Sequence, residues 1–280
     1  MLTANMKHNF RLVAVDMDGT LLRRDKTVGE KTVRAVNSAL EQGTEVIIAT
    51  GRSRVQLERY MGLFPKLRYA ITSSGAAVYD MKNDWEKIIS NEIQPKVALE
   101  ILKYADEQDC FPIMSVEGKT VYTAALAPQA PEYGLGAYVY EINTFGTGVS
   151  SVYSWYKENP QPVESISLYF RNHSFRKHAV EALSHLPLYF ALPGEPAVEI
   201  GMNTANKGYA LTKLCELLGI SLTEVMAIGD SDNDVPMLSI AAYAVSPANA
   251  PEAVKAKVDF VVSDCDHDGV AEALEQFAIH

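Results

Sequence analysis

The chain of 280 residues is poor in cysteine, in positive charge and in long apolar runs. Its three cysteines, Cys110, Cys215 and Cys265, are odd in number and share no metal-ligand spacing. That excludes a disulfide framework and a thiolate zinc site, and reads as free thiols in a reducing compartment. No stretch comes near the roughly 18 apolar residues that a membrane helix needs. Behind Lys7 and Arg11 the run from Leu12 to Val15 is cut by Asp16, too soon for a signal-peptide core. A cytoplasmic protein with no membrane partner is the expectation. Lys and Arg total 25 against 35 Asp and Glu, a formal net charge of -10. This argues against a broad nucleic-acid surface but allows a small anionic substrate at a locally positive site. The histidines (His8, His173, His178, His185, His267 and His280) are scattered without ligand spacing. No feature of the sequence indicates an oligomeric state.

With 48% hydrophobic residues the chain can bury a sizeable core and form more than one domain. Residues 1–83 and 198–280 alternate short apolar runs with amphipathic segments. Thr27 and Glu30 form a capping-box pattern opening a helix that Gly43 stops, and the continuous run at 44–50 reads as a doubly covered strand. Ser53 and Gln56 make a second capping box, for a helix that Pro65 ends; residues 69–80 read as strand, turn at Ser74 and Gly75, strand. Towards the C-terminus, Leu211, Leu214 and Leu218 line a helix closed by Gly219, and residues 224–230 form a strand. A helix with Pro236 in an early turn follows, then two strand candidates and a last helix marked by Val270, Leu274 and Phe277. This alternation predicts an α/β core with a doubly wound, mainly parallel sheet. Residues 84–197 differ: helices at 95–109 and 174–186 are separated by runs that look antiparallel, with an irregular stretch at 126–150. They predict an inserted α+β cap domain. Its Tyr122, Tyr133, Tyr138 and Tyr140 are open between stacking on a ligand and completing a small core.

In open α/β sheets ligands bind beyond the carboxyl ends of the strands, and there this sequence places its polar residues. The first strand ends in "DMDGT" (16–20), the second in "TGR" (50–52) and a late one in "GDSDND" (229–234), while "NKG" (206–208) opens the helix before it. Asp16 and Asp18, two apart on an extended backbone, project to one side. Close like charges repel, so a cation is expected between them; a hard divalent ion such as Mg²⁺ suits oxygen donors.

Together these motifs resemble the haloacid-dehalogenase-like (HAD) phosphatase superfamily, in its Cof-type, subclass-IIB-like branch with a large C2 cap inserted late. Two positions depart from the family pattern: Ser74, where relatives usually have Asn, and Asn206, where Ser is commoner. The resemblance implies a Mg²⁺-dependent phosphomonoester hydrolase with Asp16 as nucleophile and Asp18 as general acid and base. It implies metal ligation by the Asp16 side chain, the Asp18 backbone carbonyl and Asp230, with Ser231 and Asp234 near enough to help directly or through water. The phosphate would meet the N–H groups of Met17 and Asp18, the Thr50 hydroxyl, the Gly51 N–H, Asn233, Lys207 and the helix N-terminus at Ser53. Arg52 is open between substrate contact and structural ion pair. Small phosphorylated metabolites, sugar phosphates foremost, are the implied substrates, chosen by the cap. A phosphosugar mutase and a catalytically retired sugar-phosphate-binding regulator are the alternatives.

Overall fold

The computed structural model describes residues 10–136, 139–172, 174–192 and 197–279; His8, Tyr138, His173 and His280 lie outside them. The chain forms two compact units, built from the described parts of Met1–Gly51, Arg59–Ser90 and Asn206–His280, and of Arg52–Glu58 and Asn91–Ala205. The first unit begins with β1 (Leu12–Val15), α1 (Glu30–Glu41) and β2 (Glu45–Ala49). The short α2 (Arg54–Glu58) belongs to the second unit. The first unit resumes with β3 (Tyr69–Thr72), β4 (Ala77–Asp80) and β5 (Glu86–Ser90). The second unit continues with α3 (Pro95–Asp106), β6 (Cys110–Val116), β7 (Lys119–Thr123), α4 (Val139–Phe145) and β8 (Gly146–Val149). Then come α5 (Val152–Glu158), β9 (Ser165–Phe170), α6 (Phe175–Leu183), β10 (Leu188–Ala191) and β11 (Ala197–Met202). The first unit is completed by α7 (Lys207–Leu218), β12 (Val225–Ile228), α8 (Val235–Leu238), β13 (Tyr243–Pro247), α9 (Glu252–Lys255), β14 (Phe260–Val262) and α10 (Gly269–Phe277).

The sheet of the first unit has eight strands in the order β14-β13-β12-β1-β2-β3-β4-β5. All pairs from β14 to β3 are parallel, and β4 and β5 add an antiparallel edge. β1 is wholly buried, as a central parallel strand must be, with Leu12 opposite Val225 on one side and Glu45 on the other. Leu12, Ala14, Ile47 and Ala49 pack with Leu211 and Leu214 of α7 and Met237 of α8. The alternate residues Val13, Val15, Val46 and Ile48 are equally buried, facing the side where α1 and α10 pack together. The sheet is therefore covered on both faces, the doubly wound arrangement expected from the sequence. From β1 the chain winds through β2 to β3 in one direction, and later from β12 to β14 in the other. The topological switch point falls between β1 and β12, the place at whose carboxyl ends open α/β sheets bind their ligands.

Two local expectations are corrected. Helix α1 starts at Glu30 with Gly29 as N-cap and no side-chain cap. Asp25 Oδ1 captures the Thr27 N–H at 2.9 Å and its hydroxyl at 2.6 Å, so the box cannot form. The helix after Ser53 stops at Glu58, well before Pro65, although the Gln56 side chain does accept the Ser53 N–H at 3.0 Å.

The second unit holds a six-stranded sheet, β10-β11-β9-β6-β7-β8, antiparallel except for the β7–β8 pair. The stretch read as irregular thus contains α4 and an edge strand, both hidden from sequence by its Gly, Ala and Pro content. Ile101, Leu102, Val152, Tyr156, Ile166 and Leu168 form its main core. Tyr122 and Tyr133 are buried against Phe111 in a smaller one, whereas Tyr140 is exposed. Among the described residues no helix is long and apolar enough to cross a membrane.

Candidate active site

The site grows from the switch point. As β1 ends, the Asp16 N–H still donates to Ile228 O at 2.9 Å, so Asp16 leaves the sheet beside the end of β12. The chain then folds back tightly, with Leu21 N–H on Asp16 O at 3.1 Å and Leu22 N–H on Met17 O at 2.7 Å. Met17 buries its side chain, leaving its backbone at the turn. Gly19 has φ +84, and a Cβ there would lie 2.5 Å from Asp230 Oδ2; only glycine lets the two loops approach this closely. Thr20 adds a hydroxyl that donates to Asp230 Oδ1 at 3.1 Å.

A cation enters from α7. Asn206 caps that helix by accepting the Tyr209 N–H at 2.8 Å, which gives the departure from Ser a physical equivalent. The cap docks on the turn Ser73–Ser74–Gly75, whose φ values are all positive, at 48, 55 and 100. A Cβ on Gly75 would meet Asn206 O at 2.2 Å. Two consecutive left-handed non-glycine residues are strained, a state that concentrates at functional sites. The Ser74 N–H is satisfied by Thr50 O at 3.0 Å. This packing drives Lys207, the first residue of α7, fully out of solvent.

Lys207 Nζ donates to Asp16 Oδ1 and to Asp234 Oδ1, each at 2.6 Å. Asp234 Oδ2 in turn accepts the N–H groups of Asp230 at 3.0 Å and Ser231 at 2.9 Å. Asp234 is thus a bracket between the lysine and the loop carrying Asp230. Burial works against the lysine's charge, yet Asp16 and Asp234 outweigh it and raise its pKa. Asp16 is pushed well above the usual carboxylate range by burial and then by the charge of Asp234, with Lys207 pulling the other way. Burial and Asp234 likewise push Asp230 up to about 6, against the Thr20 hydroxyl.

The core unit brings together Asp16, Lys207, Asp230, Ser231 and Asp234. Ser231 Oγ lies 2.8 Å from Asn233 Oδ1 and 3.1 Å from Asp234 Oδ2, and its single proton can serve either. Thr50 is buried, and a Cβ on Gly51 would lie 3.3 Å from Ser74 Oγ and 3.9 Å from Asn233 Nδ2, which puts those positions side by side. Asp18 is half-exposed and pairs with Lys26. Arg52 and Ser53 belong to the second unit, where Ser53 Oγ meets Thr120 Oγ1 at 3.0 Å. Sequence reasoning missed Thr20, Lys26 and Asn249, whose side-chain amide donates to Gly19 O at 2.8 Å. Only Thr20, inside the first motif, carried a signal.

The family model described as haloacid dehalogenase-like hydrolase matches residues 13–274. The chain is 28% identical over 283 residues to pyridoxal phosphate phosphatase YbhA of Escherichia coli, covering 94% of this chain and 97% of that one. It is 25% identical to 5-amino-6-(5-phospho-D-ribitylamino)uracil phosphatase YwtE of Bacillus subtilis, covering 95% and 97%. The solved structure of the subclass IIB sugar phosphatase BT4131 superposes with a TM-score of 0.80 at 20% identity, covering 96% of this chain and all of that one. The chain belongs to the haloacid dehalogenase-like hydrolase family, and it is a HAD-type phosphatase.

Asp16, Asp230 and Asp234 each offer an oxygen, all within 4.8 Å of one another. Their chemistry fits a divalent cation: the donors are hard, and burial and mutual repulsion raise two of the three pKa values. Removing one repelling charge should therefore stabilise the metal-free protein. Asp230→Asn keeps an oxygen for Thr20, and we expect it to raise metal-free stability by about 1 kcal/mol. It should also abolish the gain from metal, which at a hundredfold excess over Kd is about 2.7 kcal/mol for the wild type. Thermal unfolding with and without Mg²⁺ measures both; an Asn variant still stabilised by Mg²⁺ would remove Asp230 from the metal site.

Proposed function

We propose that the protein hydrolyses small phosphorylated metabolites, sugar phosphates foremost, with Mg²⁺ and through an aspartyl-phosphate. The observation that carries this reading is Asp16 held at 2.6 Å by the buried Lys207, beside Asp230, at the switch point of the sheet. A carboxylate fixed there, with its lysine and a bound cation both favouring the charged form against burial, would suit attack on phosphorus. Asp16 and Asp230 would hold the ion with the Asp18 carbonyl, and Ser231 and Asp234 would support them. Bound Mg²⁺ would supply positive charge against the carboxylates and the phosphoryl oxygens.

An Asp16 oxygen forms the new bond to phosphorus while the bond to the leaving oxygen breaks. Asp18 gives that oxygen a proton, then takes one from the water that attacks the phosphoryl group and frees Asp16. Such acid–base help is worth ~10²–10⁴-fold. Lys207 balances charge on Asp16 throughout and attracts the phosphate, while the Thr50 hydroxyl, the Met17 and Gly51 N–H groups and Asn233 donate to its oxygens. The inserted unit would choose the leaving group, as the resemblance implies for caps of this size. The names of the two relatives add pyridoxal phosphate and 5-amino-6-(5-phospho-D-ribitylamino)uracil to the substrate panel.

The test is phosphate release, with product analysis, from sugar phosphates, nucleotides and cofactor phosphates in Mg²⁺ and in EDTA. Metal-dependent release of phosphate with the free alcohol is expected. Isomerised product without net phosphate, dependent on a bisphosphorylated activator, would instead make it a mutase. Binding without turnover would make it a regulator.

A further inference from the structure

We propose that Lys26 is a positioning residue for proton transfer, acting through Asp18; this rests on the reading of Asp18 as general acid and base. Lys26 Nζ lies 2.7 Å from Asp18 Oδ1. Stability does not explain the pair. Its side chains are 44% and 39% exposed, and pairs so wet contribute little. Lys26 also adopts φ +65, a left-handed conformation that a long side chain takes only at a cost. Several ties hold the segment in that conformation.

The turn itself is closed by Arg23 N–H to Thr27 O and Lys26 N–H to Arg23 O, both at 2.9 Å. Tyr60 donates its hydroxyl to Lys26 O at 3.2 Å. On the flank, Arg23 pairs with Asp268 at 3.1 Å and Arg24 with Asp266 at 2.8 Å, and the Arg24 N–H reaches Asp266 Oδ1 at 3.0 Å. Asp268 also accepts the Thr32 hydroxyl at 2.9 Å. The run Asp264, Asp266, Asp268, Gly269 has the spacing of a calcium loop, but these contacts commit its carboxylates to an anchoring role. The same loop holds the other end of the pair: the Cys265 N–H donates at 2.9 Å to Asn249, whose amide donates to Gly19 O next to Asp18. Both partners of the ion pair are thus referenced to one loop.

The consequence is orientation. With the ammonium on Oδ1, rotation of the Asp18 carboxyl is restricted, so it meets the leaving-group oxygen without searching rotamers. As the P–O bond breaks, its electron pair stays on the leaving oxygen, the proton passes to that oxygen from Asp18, and the ammonium faces the carboxylate that results. In the phosphorylation step Lys26 should therefore matter only where the leaving group needs a proton, so that step is the one to read.

The experiment compares the first-turnover rate of alcohol release by Lys26→Met, Lys26→Arg and Asp18→Ala from a primary alkyl phosphate and an activated aryl phosphate, both with Mg²⁺. We expect Lys26→Met to lower that rate for the alkyl ester on the order of tenfold and to leave it within about twofold for the aryl ester, with Arg restoring most of the loss. Equal loss on both esters, or none on either, overturns the proposal. If Asp18→Ala shows the leaving-group dependence and Lys26→Met does not, Lys26 alone is misassigned. If Asp18→Ala shows no such dependence, the acid–base reading falls first and takes Lys26 with it.

Discussion

Replacing Lys207 with Met should destabilise the protein by about 3–5 kcal/mol, a large share of the stability of a typical domain. The ammonium sits fully buried between Asp16 and Asp234, with Asp230 close by. Met nearly conserves the volume, so the loss is electrostatic: two buried carboxylates keep their desolvation penalty and lose the charge that offset it. The midpoint of denaturant unfolding without metal measures this, and a change below about 1 kcal/mol would mean that Lys207 does not hold the site together. Coupling gives a sharper check. Adding Asp16→Asn removes one stranded charge, so the double variant should recover part of the stability lost by Lys207→Met alone.

Asp16→Asn by itself should leave the fold intact and lower turnover at least about 10⁴-fold, because an amide cannot take the phosphoryl group. Lys207 retains Asp234 as its partner, so this variant lacks the unfolding liability of the lysine substitution. Steady-state phosphate release, with circular dichroism to confirm folding, separates the two effects. Residual turnover within tenfold of the wild type would remove Asp16 as nucleophile.

The elements that set the site's position were legible because burial leaves a periodic trace. Leu12–Val15, the run into Ala49 and Val225–Ile228 are continuous apolar strands, and each ends at a polar motif. The helix closed by Gly219 was equally plain, since that residue takes the left-handed conformation after α7. What sequence could not supply was competition among polar side chains. Asp25 takes Thr27 from its capping role, and Asp234 spends its oxygens on Lys207 and two backbone N–H groups. Nor does local pattern reveal that residues 52–58 join the second unit, or that β5 pairs with β4 in the first. Those outcomes depend on long-range packing. The left-handed run at 73–75 and the Lys26–Asp18 pair belong to the same class, set by what docks against them.

The covalent step is tested most directly in Asp18→Ala given an excess of an activated aryl phosphate with Mg²⁺, followed by acid quench and mass analysis. The aryl leaving group needs no proton, while dephosphorylation without its base is slow. A burst of one aryl alcohol per site, with a single phosphoryl adduct mapped to the peptide containing Asp16, is the predicted result. Steady release without a burst or adduct would contradict an aspartyl-phosphate at Asp16.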